Sequence, residues 1–213
     1  MAYSAILFDL DGTLTDSGRG IINCAIYALE HFGITPPSRE ALRAFVGPPL
    51  HDSFVRFGVP ADRTDEAIRV YRSRYIPEGM FENEVYPGIE QLLEALVKRG
   101  YKLYVATSKP EFMSRQILER FDLAKYFTLI CGASTDKERS TKEAVIEYLL
   151  EQCGPQDDMV MVGDTIYDIR GAKHHNIPAI GVDWGYGESA DMIAEGALTI
   201  AYSTEELLDI LSK

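Results

Sequence analysis

Nowhere in the 213 residues does an apolar run approach the roughly 20 residues that span a bilayer. The opening Met1-Ala2-Tyr3-Ser4 leads straight into Ala5-Ile6-Leu7-Phe8, with no basic lead, long apolar core or cleavage site, so no secretory signal is read. Cysteine is scarce. Cys24, Cys131 and Cys153 are odd in number, far apart and in apolar surroundings, which argues for reduced core thiols and a cytoplasmic location. Positive charge is short as well: 21 Lys and Arg against 33 Asp and Glu leave a net charge of −12. Such a field repels phosphate backbones, so nucleic acid is not an expected partner, and without a spanning run no membrane is expected either. His31, His51 and the adjacent His174-His175 have no cysteine at ligand spacing, which disfavours zinc. No Gly-x-x-x-x-Gly-Lys-Ser/Thr occurs, so a P-loop has no support. A small anionic partner then requires positive charge gathered locally, by a metal ion, a few cationic side chains or backbone N–H groups.

What the chain does have is a globular share of apolar residues, 46%, arranged in two periods. Short runs rich in β-branched and aromatic residues predict buried strands over Ala5–Leu10, Lys102–Thr107, Thr128–Gly132, Met159–Gly163, Ala179–Val182 and Ala197–Ala201. Helical stretches lie between most of them. In Ile89–Lys98 the stripe is Ile89, Leu92, Leu93, Leu96 and Val97, bounded by Pro87-Gly88 and Gly100. Strands buried on both faces and alternating with helices predict an α/β fold with a doubly wound, Rossmann-like parallel sheet. From about Ser17 to Glu84 the alternation stops. Helical stretches at Gly20–Phe32, Ser38–Phe45, Leu50–Phe57 and Asp65–Tyr75 are punctuated by Gly and Pro. The expected organisation is a catalytic core of residues 1–15 and 85–213 carrying an inserted helical cap, residues 16–84. A monomer or small homo-oligomer is expected.

Open α/β sheets place reactive groups beyond the carboxyl ends of their strands. There the first predicted strand offers Asp9 and Asp11, the second Thr107, Ser108 and Lys109, and the fourth Asp164, with Asp168 four residues later. Asp9 and Asp11 share parity on an extended segment, so both side chains can face one way. Two close carboxylates repel, and a divalent cation relieves the repulsion. Hard Mg²⁺ prefers oxygen ligands, which Asp9, Asp164 and a backbone carbonyl can supply. Gly12 permits the sharp turn that follows. One carboxylate can attack phosphorus while the other, protonated, donates to the leaving alkoxide. Thr107 offers a hydroxyl, and a lysine neutralises charge in the transition state.

Asp9-Leu-Asp11-Gly12-Thr13-Leu14, then Val105-Ala106-Thr107-Ser108-Lys109, Lys142 and Gly163-Asp164-Thr165-Ile166-Tyr167-Asp168 resemble the four motifs of the haloacid dehalogenase superfamily, in that family's order. The inserted helices resemble its type-1 cap, and Val46-Gly47-Pro48-Pro49-Leu50 is similar to the phosphoglycolate phosphatase-like branch. The resemblance implies an Mg²⁺-dependent phosphatase acting on a small phosphorylated metabolite through an aspartyl-phosphate. It implies Asp9 as nucleophile and metal ligand, and Asp11 as general acid/base and carbonyl ligand. Thr107, Ser108 and Lys142 become phosphate binders, Asp164 a metal ligand, and Asp168 a support of the metal site through waters. The sequence departs from the family at the lysine: Lys142 precedes Glu143, and the only Lys-Pro pair is Lys109-Pro110. Lys142 is preferred, because it opens a helix after the third strand and Lys109 follows Thr107 closely.

A phosphosugar mutase similar to β-phosphoglucomutase is the competing reading, although Gly18–Asn23 holds neither the His nor the Trp that mutases use there. Dehalogenation has no need of Asp11. A receiver module keeps its phospho-accepting Asp in mid-chain. Gly185-Tyr186-Gly187-Glu188-Ser189-Ala190 spells a dinucleotide-binding pattern, but too little chain follows for the required βαβ unit. It reads instead as a Gly-rich loop beside the crevice. Arg19, Arg39, Arg43, Arg56 and Arg63 are the cap's candidates for a second anionic group on the substrate.

Overall fold

Six apolar runs pair into one parallel sheet in a computed structural model that describes residues 3–136, 138–154 and 158–212. They are β1 (Ala5–Phe8), β4 (Lys102–Pro110), β5 (Leu129–Ala133), β6 (Met159–Gly163), β7 (Ala179–Val182) and β8 (Ile200–Ala201), in the order β5-β4-β1-β6-β7-β8. Two-residue strands β2 (Thr15–Asp16) and β3 (Glu84–Val85) form a separate two-stranded sheet. In the large sheet Phe8 is in register with Val105 of β4 on one side and with Val162 of β6 on the other. The chain winds away from β1 through β4 and β5 in one direction and through β6, β7 and β8 in the other. Strand order therefore reverses at β1, where such sheets open a crevice at their carboxyl ends.

Burial on both faces explains why β1, Ala-Ile-Leu-Phe, has no polar residue. On one face Ala5, Leu7, Tyr104 and Ala106 pack with Val145, Ile146 and Leu149 of the helix Lys142–Cys153. Removing each such Leu or Ile side chain from water is worth roughly 1.5–3 kcal/mol. The core helices are α4 (Ile89–Lys98), α5 (Glu111–Arg120), α6 (Lys142–Cys153), α7 (Ile166–His174), α8 (Ser189–Glu195) and α9 (Thr204–Leu211). In α4 the residues Ile89, Leu92, Leu93 and Leu96 are buried, whereas Val97, one step round from Leu96, lies 44% exposed at the edge of the stripe.

Contacts divide the chain into two compact units, one of the chain up to Thr15 and from Val85 onward, the other Asp16–Glu84. The second unit contains α1 (Gly18–His31), α2 (Leu50–Arg56) and α3 (Thr64–Tyr75). Its core is aromatic: Phe45 stacks on Phe57, Tyr71 stacks on Tyr75, and Phe54 meets both Phe45 and Tyr71 edge-on. Two expectations need correction. The helix predicted over Ser38–Phe45 is only a 3₁₀ turn, Ala41–Phe45, between Pro36-Pro37 and Gly47 at φ 102°. With only Leu42 and Phe45 buried, it has too short an apolar stripe to extend a helix. The last strand shrinks from Ala197–Ala201 to Ile200–Ala201, because Ala197 N–H is tied to Met192 O at the end of α8.

Candidate active site

Asp9 follows β1, and its N–H extends the sheet by donating to Val162 O at 3.0 Å. The chain then turns tightly. Gly12, at φ 88°, donates to Thr15 O at 2.8 Å, and Leu14 and Thr15 both return to Leu10 O. A Cβ at Gly12 would lie 2.1 Å from Asp164 Oδ2, so this turn rests against the carboxylate that follows β6. Thr13 Oγ1 donates to Asp164 Oδ1 at 3.2 Å, and Tyr186 N–H donates to Asp164 Oδ2 at 2.8 Å. Gly185 and Gly187 make that approach possible. A Cβ on the first would fall 2.3 Å from Asp164 Cβ, and one on the second 2.1 Å from Asp164 O. The Gly-Tyr-Gly segment is thus a close-packed wall around Asp164, which is fully buried.

Two helix starts supply the remaining groups. Thr141 caps α6 by accepting from Ala144 N–H, which makes Lys142 its first residue. Gly171 lets α7 approach, since a Cβ there would meet Lys142 Cγ at 2.4 Å. Lys142, 4% exposed, donates from Nζ to Asp9 Oδ1 at 2.7 Å and to Ala106 O at 2.8 Å. Its Nζ also lies 2.7 Å from Asp168 Oδ1, a buried ion pair. The other oxygen of Asp168 closes a capping box on α7, accepting from Thr165 N–H at 3.0 Å and Thr165 Oγ1 at 2.8 Å. Thr107, buried at the end of β4, accepts from Lys109 N–H at 3.3 Å, and its hydroxyl also bonds the Asp9 carboxylate.

The structure brings Asp9, Thr107, Lys142, Asp164 and Asp168 together. Carboxylate oxygens of Asp9, Asp164 and Asp168 lie within 4.8 Å of one another, all three residues buried. The carboxylate of Asp11 is not in that group: its Oδ2 accepts from Lys109 Nζ at 2.5 Å. Ser108 is exposed between buried Thr107 and Lys109. The contact between Lys109 and Asp11 was not anticipated from the sequence, where the shared parity of residues 107 and 109 on one strand was its only signal.

Burial pushes Asp9 toward the protonated form against the pull of Lys142. Asp164 is pushed up further, by burial first and then by the charges of Asp168 and Asp9. Burial alone would depress Lys142, but Asp168 and Asp9 outweigh it and hold the ammonium charged. The three clustered carboxylates share one ammonium, and their mutual repulsion and burial are what a bound divalent cation would relieve. The donor set fits a metal ion that prefers oxygen.

The sequence pattern of the haloacid dehalogenase-like hydrolases matches residues 6–182. The chain is 41% identical over 196 residues to a 5'-nucleotidase of Pseudomonas aeruginosa, covering 91% of this chain and 89% of that one. It is 40% identical over 210 residues to the tyrosine-protein kinase PtkA of Mycobacterium tuberculosis (97% and 72%), and 33% identical over 208 residues to a phosphoglycolate phosphatase of Rhodospirillum rubrum (92% and 86%). The crystal structure of a predicted phosphatase from Clostridium acetobutylicum superposes with a TM-score of 0.94 at 45% identity, covering 99% of each chain.

Proposed function

This chain belongs to the haloacid dehalogenase-like hydrolase family and is one of its phosphomonoester hydrolases, and we propose that it cleaves a small phosphomonoester through an aspartyl-phosphate formed on Asp9, with Mg²⁺ as its cofactor. The observation that carries this reading is the buried cluster at the end of β1, in which Asp9 is bonded to Lys142 beside Asp164 and Asp168. In the proposed first half-reaction an Asp9 carboxylate oxygen attacks phosphorus. The bond from phosphorus to the ester oxygen breaks, and Asp11 delivers its proton to the departing alkoxide. In the second half-reaction water attacks the same phosphorus. Asp11 takes a proton from that water, the bond between phosphorus and Asp9 breaks, and inorganic phosphate leaves. Thr107 and Lys142 hold the phosphoryl oxygens, with Ser108 as a further binder through the same loop. Asp9, Asp164 and the Asp11 carbonyl would hold the cation, supported by Asp168, and when bound it neutralises phosphoryl charge.

Residues 16–84 are proposed to select the substrate, either a phosphoglycolate-like acid or a 5'-nucleotide. Within that unit Arg39 donates to Asn23 Oδ1 at 2.8 Å, and Arg63 is bonded to Glu66 at 2.8 Å. Arg19 is exposed. Among the described residues no helix is long and apolar enough to cross a membrane, and Cys24 and Cys131 are buried free thiols. Both support the proposed cytoplasmic location. A phosphate-release screen with Mg²⁺ over phosphoglycolate, 5'-nucleotides and sugar phosphates tests the reading, with β-glucose 1-phosphate assayed for isomerisation as well. Hydrolysis that stops with EDTA and returns with Mg²⁺ is expected. Undiminished turnover in EDTA, or isomerisation in place of phosphate release, would contradict it.

A further inference from the structure

We propose that Lys109 is a positioning residue for the general acid/base: it fixes the Asp11 carboxylate by one oxygen and leaves the other to exchange the proton. The inference rests on the reading of Asp11 as acid and base, and assigns to that role a residue outside the phosphoryl-binding set. Lys109 Nζ donates to Asp11 Oδ2 at 2.5 Å, with the two side chains 6% and 17% exposed. Asp11 Oδ1 is buried and has no hydrogen bond among the described residues. One oxygen is therefore held and the other has no competing donor, which suits a group that must keep one orientation while passing a proton.

The lysine is itself held by its strand. Lys109 N–H donates to Thr107 Oγ1, so the hydroxyl bonded to Asp9 also pins the backbone that carries Lys109. The register between β4 and β5 shifts from Thr107 to Pro110. Across that shift Gly132 lets the strands close up, since a Cβ there would lie 2.5 Å from Lys109 O and 2.7 Å from Glu111 Cα. Lys142 contacts Asp9, Asp168 and Ala106 O, and not Asp11. Each lysine thus serves a different carboxylate: Lys142 the nucleophile, Lys109 the acid.

Positioning of the acid matters in proportion to how badly the leaving group needs a proton. The test compares first-turnover release of p-nitrophenol from p-nitrophenyl phosphate with first-turnover cleavage of the alkyl phosphomonoester that the wild type hydrolyses fastest. Lys109→Met and Lys109→Gln should slow the alkyl substrate by about 10–100-fold, in the range of lost outer-sphere support, and the nitrophenyl substrate by only a few-fold. Lys109→Arg, which keeps charge and donors, should recover most of the loss. KM and inhibition by inorganic phosphate should stay within about threefold of wild type, because no phosphoryl contact is removed. Asp11→Asn with Lys109→Met should be no slower than Asp11→Asn alone, since Lys109 acts only through Asp11. Equal losses on both substrates, losses that multiply in the double variant, or weakened phosphate inhibition would each overturn the proposal. Asp11→Asn alone separates the two claims. If it shows the leaving-group dependence and the Lys109 variants do not, the positioning role fails and the acid stands. If Asp11→Asn slows both substrates equally, the acid role fails and Lys109 falls with it.

Discussion

An ammonium group buried between two carboxylates adds little net folding free energy, because desolvation consumes most of what attraction returns. Lys142 therefore adds little stability, consistent with the phosphoryl-binding role proposed for it. Lys142→Met leaves Asp9 and Asp168 without their cation, and removing one member of a buried ion pair is costly. We expect kcat to fall by roughly 10²–10³-fold, with no recovery in excess Mg²⁺, and the thermal midpoint to drop. A steady-state assay showing a loss under about tenfold would remove Lys142 from the proposed phosphoryl site. At this scale the convergence of the candidate residues was readable from strand ends: Asp9, Thr107 and Asp164 all lie there, and they meet in one cluster. The closeness of Lys109 to Thr107 argues against it as the phosphate-binding lysine, yet strand alternation puts residues two apart on the same side. Only a distance reveals that its partner is Asp11. The same alternation leaves Ser108 exposed.

Elements make the site through glycine as much as through acids. Gly12, Gly163, Gly171, Gly185 and Gly187 each stand where a Cβ would collide with Asp164, Asp168, Lys142 or the backbone at residues 164–165. Gly185→Ala should shift Asp164 and weaken Mg²⁺ binding by about 10–100-fold, with a lowered thermal midpoint. Gly100, at φ 89° with nothing within 4 Å, is the control. Gly100→Ala should cost about 1–2 kcal/mol of backbone strain and leave kcat and Mg²⁺ affinity unchanged. Calorimetric titration with Mg²⁺ distinguishes the two, and equal affinities would show that the wall around Asp164 is not needed. Parallel strands of four or five apolar residues and the helix start after Pro87-Gly88 were legible, since burial and turn residues act locally. The 3₁₀ turn Ala41–Phe45 and the short β8 were not, because neighbouring segments set their ends. The Gly-Tyr-Gly run was legible as a loop beside the crevice, but its tie to Asp164 spans more than twenty residues.

Over the whole molecule, a chain of net charge −12 collects buried acids around one spot. Asp9 and Asp164 have pKa values above the 3.8 of an unfolded chain, chiefly through burial. A carboxyl raised in this way makes the folded state bind its proton more tightly. Its stabilising contribution is full below about pH 4 and is lost as pH climbs through the folded value. In EDTA, the thermal midpoint of the wild type should therefore fall more steeply than that of Asp164→Asn as pH rises from about 4. Mg²⁺ should raise the wild-type midpoint more at the upper end, because protons compete for its ligands. Parallel slopes for the two proteins would exclude Asp164 as a source of the dependence.

Chemical trapping on Asp9 tests the central claim most directly. Asp11→Asn should be mixed with p-nitrophenyl phosphate and Mg²⁺, quenched in acid, reduced with borohydride and mapped by mass spectrometry. An aspartyl-phosphate at this site is reduced to homoserine, so the account predicts homoserine at position 9 and nowhere else. An unmodified Asp9 after a full burst of p-nitrophenol, or homoserine at another aspartate, would contradict it.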